Sequence, residues 1–141
     1  MQFLLDVITP QRSAFSEKVD AVSVPTPDGT IEVLAKHEPL FTQLTEGEVK
    51  IMSGGKFYYL AIGGGFMEVR PKGEVTILVS RAVHADEINE AEIKKAQEQA
   101  KDLIAKKATG EELRAAVAVL HRTMLELKVS RRKRRPSPLQ A

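Results

Sequence analysis

The sequence predicts an α+β protein, with an N-terminal antiparallel β-sandwich or flattened barrel followed by a two-helix antiparallel hairpin. Two observations lead to this prediction. Apolar residues alternate with a period of two in the first part of the chain, whereas after Asp86 they recur at helical spacing. Glycine and proline interrupt the first part at short intervals, while neither occurs between Asp86 and Gly110. We therefore place a β domain at residues 1–84, a helical hairpin at 85–130 and a basic flexible tail at 131–141.

The first 84 residues show the alternation typical of half-buried strands. Turn signals such as Asp28-Gly29, Gly54-Gly55 and Pro71-Lys72-Gly73 separate these runs, as expected of hairpins. Pro25 and Pro27 are expected at a strand end or edge, because proline cannot donate a hydrogen bond to a neighbouring strand. The alternating runs are Phe3, Leu5 and Val7; Val22 and Val24; Val49 and Ile51; Phe66 and Val69; and Val75, Ile77 and Val79.

The triplet Gly63-Gly64-Gly65 has two interpretations. A glycine-rich phosphate loop would need a following lysine and a helix, and this triplet lies between strand patterns without either. A bulge or a close approach of two backbones is therefore expected at this point.

Two helices are expected after the β domain. Asp86 is expected to cap the first, which extends for about two dozen residues by its apolar spacing. Thr109 and Glu112 fit a capping box at the start of the second. The short connection predicts an antiparallel hairpin. The expected apolar face of the second helix contains Leu113, Ala116, Val117, Leu120, Met124 and Leu127.

The hairpin is expected to be only marginally stable alone. Its first helix offers mainly alanines, so the apolar area it can bury scarcely offsets the loss of backbone entropy. The hairpin could dock on the β domain, or it could open and lie along another protein, and the sequence leaves both arrangements open.

Composition excludes several classes of protein. The chain has 141 residues and no cysteine, so disulfides, thiolate zinc sites and cysteine nucleophiles are excluded. No apolar run is long enough for a transmembrane helix, and the start "MQFLLDVITP" does not resemble a signal peptide. The net charge is +2, yet "RRKRR" at 131–135 alone contributes five positive charges, which leaves −3 for the rest. The basic character is therefore local.

His37 is the first candidate for chemistry, because the chain has only three histidines. No nucleophile motif lies beside it, and His84 and His121 lie in other segments, outside metal-ligand spacing. We expect no catalytic residue, no metal site and no cofactor, and a structural or interface role for His37.

Two spaced motifs resemble the epsilon subunit of F-type ATP synthases, of the bacterial type with chloroplast-like relatives. The stretch from Pro25 to Leu40 is similar to that family's "G-x-x-G-I-L-P-G-H-x-P-L" loop, with Asp28-Gly29, Ile31, His37 and Pro39-Leu40 in matching places. "GGFMEV" at 64–69 and "VTILV" at 75–79 are similar to "GGFLEV" and "VTILA". The loop departs from the pattern at Glu32 and at Ala35-Lys36, where the family has glycine and Pro-Gly.

The resemblance implies a noncatalytic central-stalk subunit that couples proton-driven rotation to ATP synthesis. In such a subunit the β domain contacts the gamma subunit and the c-subunit ring, and the hairpin can extend toward the alpha and beta subunits and inhibit ATP hydrolysis. It would be a peripheral protein at the cytoplasmic face of the bacterial inner membrane, reaching the membrane only through the complex. The implied contact residues are Asp28, Gly29, Thr30, Ile31 and His37.

Some members of this family bind ATP between the helices through an I/L-D-x-x-R-A motif. Asn89 and Glu92 replace its aspartate and arginine here, and Glu126 stands where a further arginine would be. An acid near phosphate is unfavourable, so no ATP site is expected.

The basic tail carries a separate hypothesis. Its cations could favour the extended, inhibiting hairpin by facing an acidic loop of the catalytic subunits, or they could be a solvated appendage. The residues concerned are Arg122, Lys128, Arg131, Arg132, Lys133, Arg134 and Arg135.

The sequence leaves two rival functions open. The first is a small β domain that binds nucleic acid through "RRKRR", although this run lacks interleaved aromatic residues. The second is an enzyme that uses His37.

Overall fold

The computed structural model describes residues 1–134, with side chains described as far as Arg132. Ten strands precede two helices. The strands are β1 (Phe3–Ile8), β2 (Ser13–Val19), β3 (Ala21–Thr26), β4 (Gly29–Leu34), β5 (Leu40–Leu44), β6 (Gly47–Ser53), β7 (Lys56–Ile62), β8 (Gly65–Val69), β9 (Val75–Val79) and β10 (Ala82–His84). The helices are α1 (Glu90–Ala105) and α2 (Gly110–Ser130).

The strands form two sheets of five, in the orders β2-β1-β9-β8-β5 and β10-β7-β6-β3-β4. Their inward side chains form one core, which includes Leu5, Val24, Ile51 and Met67. The alternation read from the sequence is therefore confirmed as a β-sandwich. Within the described residues the sheets share no strand and close no barrel, so the flattened barrel is wrong.

One pairing departs from the expected antiparallel pattern. β1 pairs with β9 in parallel, with Leu5 opposite Val75 and Val7 opposite Ile77. The chain reaches β9 only after building β3, β4, β6 and β7 of the second sheet, and β9 then runs in the same direction as β1. The first sheet is mixed for this reason.

The prolines and glycines lie as their backbone chemistry requires. β3 pairs with β6 only from Ala21 to Ser23, so Pro25 lies beyond that ladder. Pro27 lies in the turn after β3. A Cβ atom at Gly65 would collide with the carbonyl oxygen of Leu78, which confirms the close backbone approach.

The first helix begins later than the sequence indicates. Residues Ala85–Glu87 form a 3₁₀ turn, and Ile88 is extended and buried. Asn89 caps α1, with its side-chain oxygen accepting from the backbone N–H groups of Ala91 (3.0 Å) and Glu92 (3.3 Å). The expectation that Asp86 caps a helix of two dozen residues is wrong, because burial of Ile88 interrupts the helical geometry there.

The second helix begins where expected but buries a different face. Thr109 is its N-cap residue, although the threonine side chain makes no capping hydrogen bond. Ala116 and Leu127 are buried as expected, whereas Val117 and Met124 are exposed. The buried face continues instead through polar residues, namely Thr123, Glu126 and Ser130.

The two helices form a hairpin that is docked on the second sheet. A small apolar cluster lies between the hairpin and this sheet and contains Ala61, Ala85, Ile88 and Val129. Of the two arrangements left open by the sequence, this structure has the docked one. Arg131–Arg134 form a 3₁₀ turn beyond α2, and the rest of the predicted tail lies outside the described residues.

Candidate functional site

The residues implied as contacts lie along one free edge of the sandwich. β4 is the outermost strand of the second sheet, so within residues 1–134 the backbone groups on its outer side have no neighbouring strand. Asp28, Gly29, Thr30 and Ile31 lie at its beginning, and His37 follows its end. Three extended residues of β4, about 10 Å, and a two-residue turn separate the two groups. The structure therefore places these residues on one edge without bringing them into contact.

Local hydrogen bonds shape both ends of this edge. The Thr26 hydroxyl accepts from the Asp28 N–H (3.2 Å) and donates to the Gly29 carbonyl (2.6 Å), which fixes the tight turn. Gly29 has φ of 117°, a conformation that favours glycine.

At the other end the His37 N–H donates to the Leu34 carbonyl (3.3 Å), and its Nδ1 lies 2.7 Å from the Glu38 carbonyl oxygen. Lys36 adopts φ of 64°, in the left-handed region. Its family counterpart is glycine, so the loop keeps the glycine geometry while carrying a cation. His37 holds its own loop while remaining partly exposed.

A second surface was not found from the sequence. Five large apolar side chains are exposed on the outer face of the first sheet, and among them Phe41 and Phe66 stack with ring centroids 5.5 Å apart. The signal was present, because the strand sequences "GFMEV" and "VTILV" have apolar residues at both odd and even positions. The five are Leu4, Ile8, Phe41, Phe66 and Leu78.

Charged residues connect the hairpin to the sandwich at a place that we call the joint, formed by Glu46, Arg81, Arg122 and Glu126. Arg81 donates from Nη2 to Glu46 (3.1 Å), while its Nε lies 3.9 Å from Glu126. Arg122, one turn earlier on α2, lies 3.8 Å from the same carboxylate. Both distances to Glu126 exceed hydrogen-bond length. Burial raises the pKa of Glu126, and the two arginines offset this only in part.

Two further ion pairs fasten the docked hairpin. Arg132 binds Glu48 of β6 through two nitrogens, at 3.0 and 3.1 Å, and lies over the Tyr59 ring. Arg12 similarly binds Glu87, and this hydrogen bonding holds the pKa of the Glu87 carboxyl below its usual range. The predicted regulatory residue Arg132 is thus engaged with the sandwich.

The remaining predicted tail and helix residues are dispersed. Lys128 and Arg131 are exposed at the end of α2. The side chains of Lys133 and Arg134, and Arg135 as a whole, lie outside the described part of the chain. The structure therefore bears on only part of the predicted basic cluster.

The altered nucleotide motif has a structural use here. Asn89 caps α1, Glu92 is exposed, and Glu126 is buried in the joint. Within residues 1–134, no group of three or more potential ligands could hold a metal ion. No helix in the same range is long and apolar enough to cross a membrane.

The fold and these surfaces define a class: a β-sandwich with exposed contact surfaces that carries a docked helical hairpin. Residues 2–85 match the family model described as "ATP synthase, Delta/Epsilon chain, beta-sandwich domain". The chain belongs to the ATP synthase epsilon chain family.

Relatives of this family match nearly the whole chain. The ATP synthase epsilon chain of Herpetosiphon aurantiacus is 39% identical over 134 residues, covering 95% of this chain and 98% of its own. That of Dehalococcoides mccartyi is 40% identical over 132 residues, covering 93% and 94%. A chain in the Euglena gracilis mitochondrial ATP synthase, OSCP/F1/c-ring structure, superposes with a TM-score of 0.66 and 28% identity, covering 94% of this chain and 79% of that chain. The match therefore includes the hairpin as well as the sandwich.

Proposed function

We propose that this chain is a noncatalytic rotor subunit of an ATP synthase, where it couples rotation to ATP synthesis and restrains ATP hydrolysis through its hairpin. The observation that carries the proposal is a self-contained sandwich joined to a hairpin through a small, charged interface, in a chain of the epsilon family. Such an architecture is suited to transmitting contacts between partner subunits. It would reach the cytoplasmic face of the bacterial inner membrane as a peripheral part of the complex.

The sandwich would supply the contacts with the gamma subunit and the c-subunit ring. Asp28, Gly29, Thr30, Ile31 and His37 lie along the free edge at β4, where unpaired backbone groups are available to a partner. The exposed apolar face around Phe41 and Phe66 adds a second surface of the kind that partner proteins cover.

The hairpin would act by exchanging partners. When docked, it is bound to the sandwich through Arg132 and the joint. When extended, it would lie along the alpha and beta subunits and inhibit hydrolysis, with Arg122, Lys128, Arg131, Lys133, Arg134 and Arg135 facing acidic groups. Arg132 is the exception among the cations, because its contacts favour the docked state.

The nucleic-acid alternative has less support. Arg132 is bound to Glu48, which neutralises one of the five cations of the basic run. No relative described above is named as a nucleic-acid-binding protein.

Copurification tests the proposal. A tagged chain should bring down gamma, alpha, beta and c subunits from its own cell membranes, and recovery of none of them would overturn the assignment. For the free edge, Asp28→Lys and His37→Ala should weaken assembly. Glu17→Lys, an equal charge change on the exposed edge strand β2, is the matched control and should assemble normally.

A further inference from the structure

The joint contains an unusual combination of charged groups. The Glu126 side chain is only 8% exposed, yet neither arginine near it is within hydrogen-bond distance. The buried Nε of Arg81 has no hydrogen-bond partner within the described residues. The buried Arg81 Nε therefore faces the Glu126 carboxylate across 3.9 Å with its own hydrogen-bonding capacity unused.

Competition for Arg81 explains this arrangement. Glu46 takes the Nη2 hydrogen bond of Arg81 at 3.1 Å, so the guanidinium is held by the sandwich. Glu46 also places a second negative charge near Glu126. Burial is the main cause of the raised pKa of Glu126, and Glu46 adds to it. An ionised Glu126 is therefore poorly compensated in the docked state.

We infer that Glu126 is a proton-sensitive contact that makes docking of the hairpin on the sandwich stronger when its carboxyl group is protonated and weaker when it is ionised. In the docked state the carboxylate has lost water, whereas undocking returns it to solvent. The docking equilibrium itself does not depend on the proposed function; only its effect on ATP hydrolysis rests on that proposal.

The sign follows from the two states. The pKa of Glu126 is raised in the docked state relative to a solvated glutamate, so the docked state binds the proton more tightly. Docking therefore strengthens as the pH falls through the docked pKa. Docking weakens as the pH rises. Between the pKa of Glu126 in the undocked state and its pKa in the docked state, the docking constant falls by at most about tenfold per pH unit.

Most of the other charged groups at the interface are already engaged. From β6, Glu48 is bound by Arg132; from the 3₁₀ turn before α1, Glu87 is bound by Arg12 and Asp86 is exposed. From α1, Glu90 accepts a hydrogen bond from Ser130 at 2.9 Å. From β7, Tyr59 lies beneath Arg132. The groups that act on Glu126 are Glu46, Arg81 and Arg122.

Hydrogen exchange of the isolated full-length chain tests the inference. Exchange of the backbone amides at residues 123–130 is compared between wild type and Glu126→Gln at each pH, since the ratio of rates cancels the intrinsic pH dependence. At pH 8 the wild type should exchange several-fold faster than the variant. The ratio should approach one as the pH falls. Glu111→Gln is the matched control, because Glu111 is an exposed acid of α2 that pairs only with Arg114, and it should behave as wild type.

Several results would overturn the inference. A ratio that does not change with pH would do so, as would equal or faster exchange in Glu126→Gln at pH 8. Loss of helix in that variant by circular dichroism would also count against it, since the uncharged group must fit the docked joint. In Glu46→Gln, removal of the competing acid should move the pH at which docking weakens to a lower value, and an unmoved transition contradicts the mechanism.

Discussion

Replacing Arg132 with alanine should release the hairpin from the sandwich more often. Its side chain forms a bidentate pair with Glu48 and lies over the Tyr59 ring, 5.5 Å from the ring centroid. The Arg132 side chain is 33% exposed, so solvent screens part of this interaction, whereas Glu48 at 16% is more buried. The substitution leaves the partly buried Glu48 carboxylate without its partner. The unpaired carboxylate carries a desolvation penalty, which increases the free energy lost on docking.

The size of the effect follows from these contacts. Hydrogen bonds to charged groups contribute about 1.5–3 kcal/mol, and exposed ion pairs about 0.2–1 kcal/mol. The partial exposure of Arg132 places its contribution between these ranges, at about 1–2 kcal/mol. The docking constant should therefore fall by roughly 5- to 30-fold.

Hydrogen exchange at residues 123–130 measures this change in the full-length chain. Arg131→Ala is the matched control, because Arg131 is the neighbouring cation and is exposed. High salt should narrow the difference between wild type and Arg132→Ala, since screening weakens the pair. Equal exchange in the two variants at low salt would refute the reasoning. In the complex, Arg132→Ala should also lower ATP hydrolysis, if the extended hairpin inhibits as proposed.

Four further predictions concern separate parts of the chain. Residues 1–84 alone should fold and join the complex, since the sandwich has its own core; an insoluble fragment, or one that fails to bind gamma while the full chain binds, would contradict this. Calorimetry should give a dissociation constant for ATP weaker than about 0.1 mM, equivalent to roughly −5.5 kcal/mol, because Glu92 and Glu126 repel phosphate; tighter binding would show an intact site. Gly65→Ala should destabilise the fold by about 3 kcal/mol and lower the melting temperature by more than about 10 °C, because its Cβ would meet the Leu78 carbonyl, whereas Gly64→Ala, which has ordinary clearance, should change little. Replacing Arg131, Lys133, Arg134 and Arg135 together with alanine should raise ATP hydrolysis at low salt and change it little at high salt; no change in either condition would leave the tail without a regulatory role.

The sandwich could be predicted because several of its strands alternate clearly. Val49 and Ile51, for example, are an inward pair with half-buried neighbours, so the period of two identified them. The parallel pairing of β1 with β9 could not be read in this way, because alternation specifies which face a side chain takes and not which strand lies beside it. The exposed Phe66 was missed for a related reason, since a strand that is apolar on both faces does not indicate which face is covered.

The docked hairpin was predicted less well because its interface is polar. Thr123, Glu126 and Ser130 are buried on α2, and no apolar periodicity points to them. The start of α1 was misplaced because Asp86 and Asn89 are both acceptable capping residues, and only burial of Ile88 against the sandwich distinguishes them. The contact residues were named only through the resemblance to a family loop, since Asp28 and His37 carry no chemical signature of their own, and only the structure shows that they lie along a free edge.

The docking interface is suited to reversible opening because it buries little apolar area and relies on charge. Two of its four fully buried apolar residues, Ala61 and Ala85, are alanines, whereas the sandwich core contains Leu5, Ile51 and Leu60. Burial of a large aliphatic side chain contributes about 1.5–3 kcal/mol, so we expect the sandwich to be stable without the hairpin and the hairpin to gain little apolar stabilisation from docking. The charged groups at the interface regain water when it opens, which keeps the free-energy difference between the two states small. A change of 1.4 kcal/mol then alters the ratio of docked to undocked molecules tenfold, so the loss of a single contact can change which state predominates. The Arg132–Glu48 pair favours the docked hairpin and ionised Glu126 opposes docking, so the balance between these two contacts shifts the docked fraction.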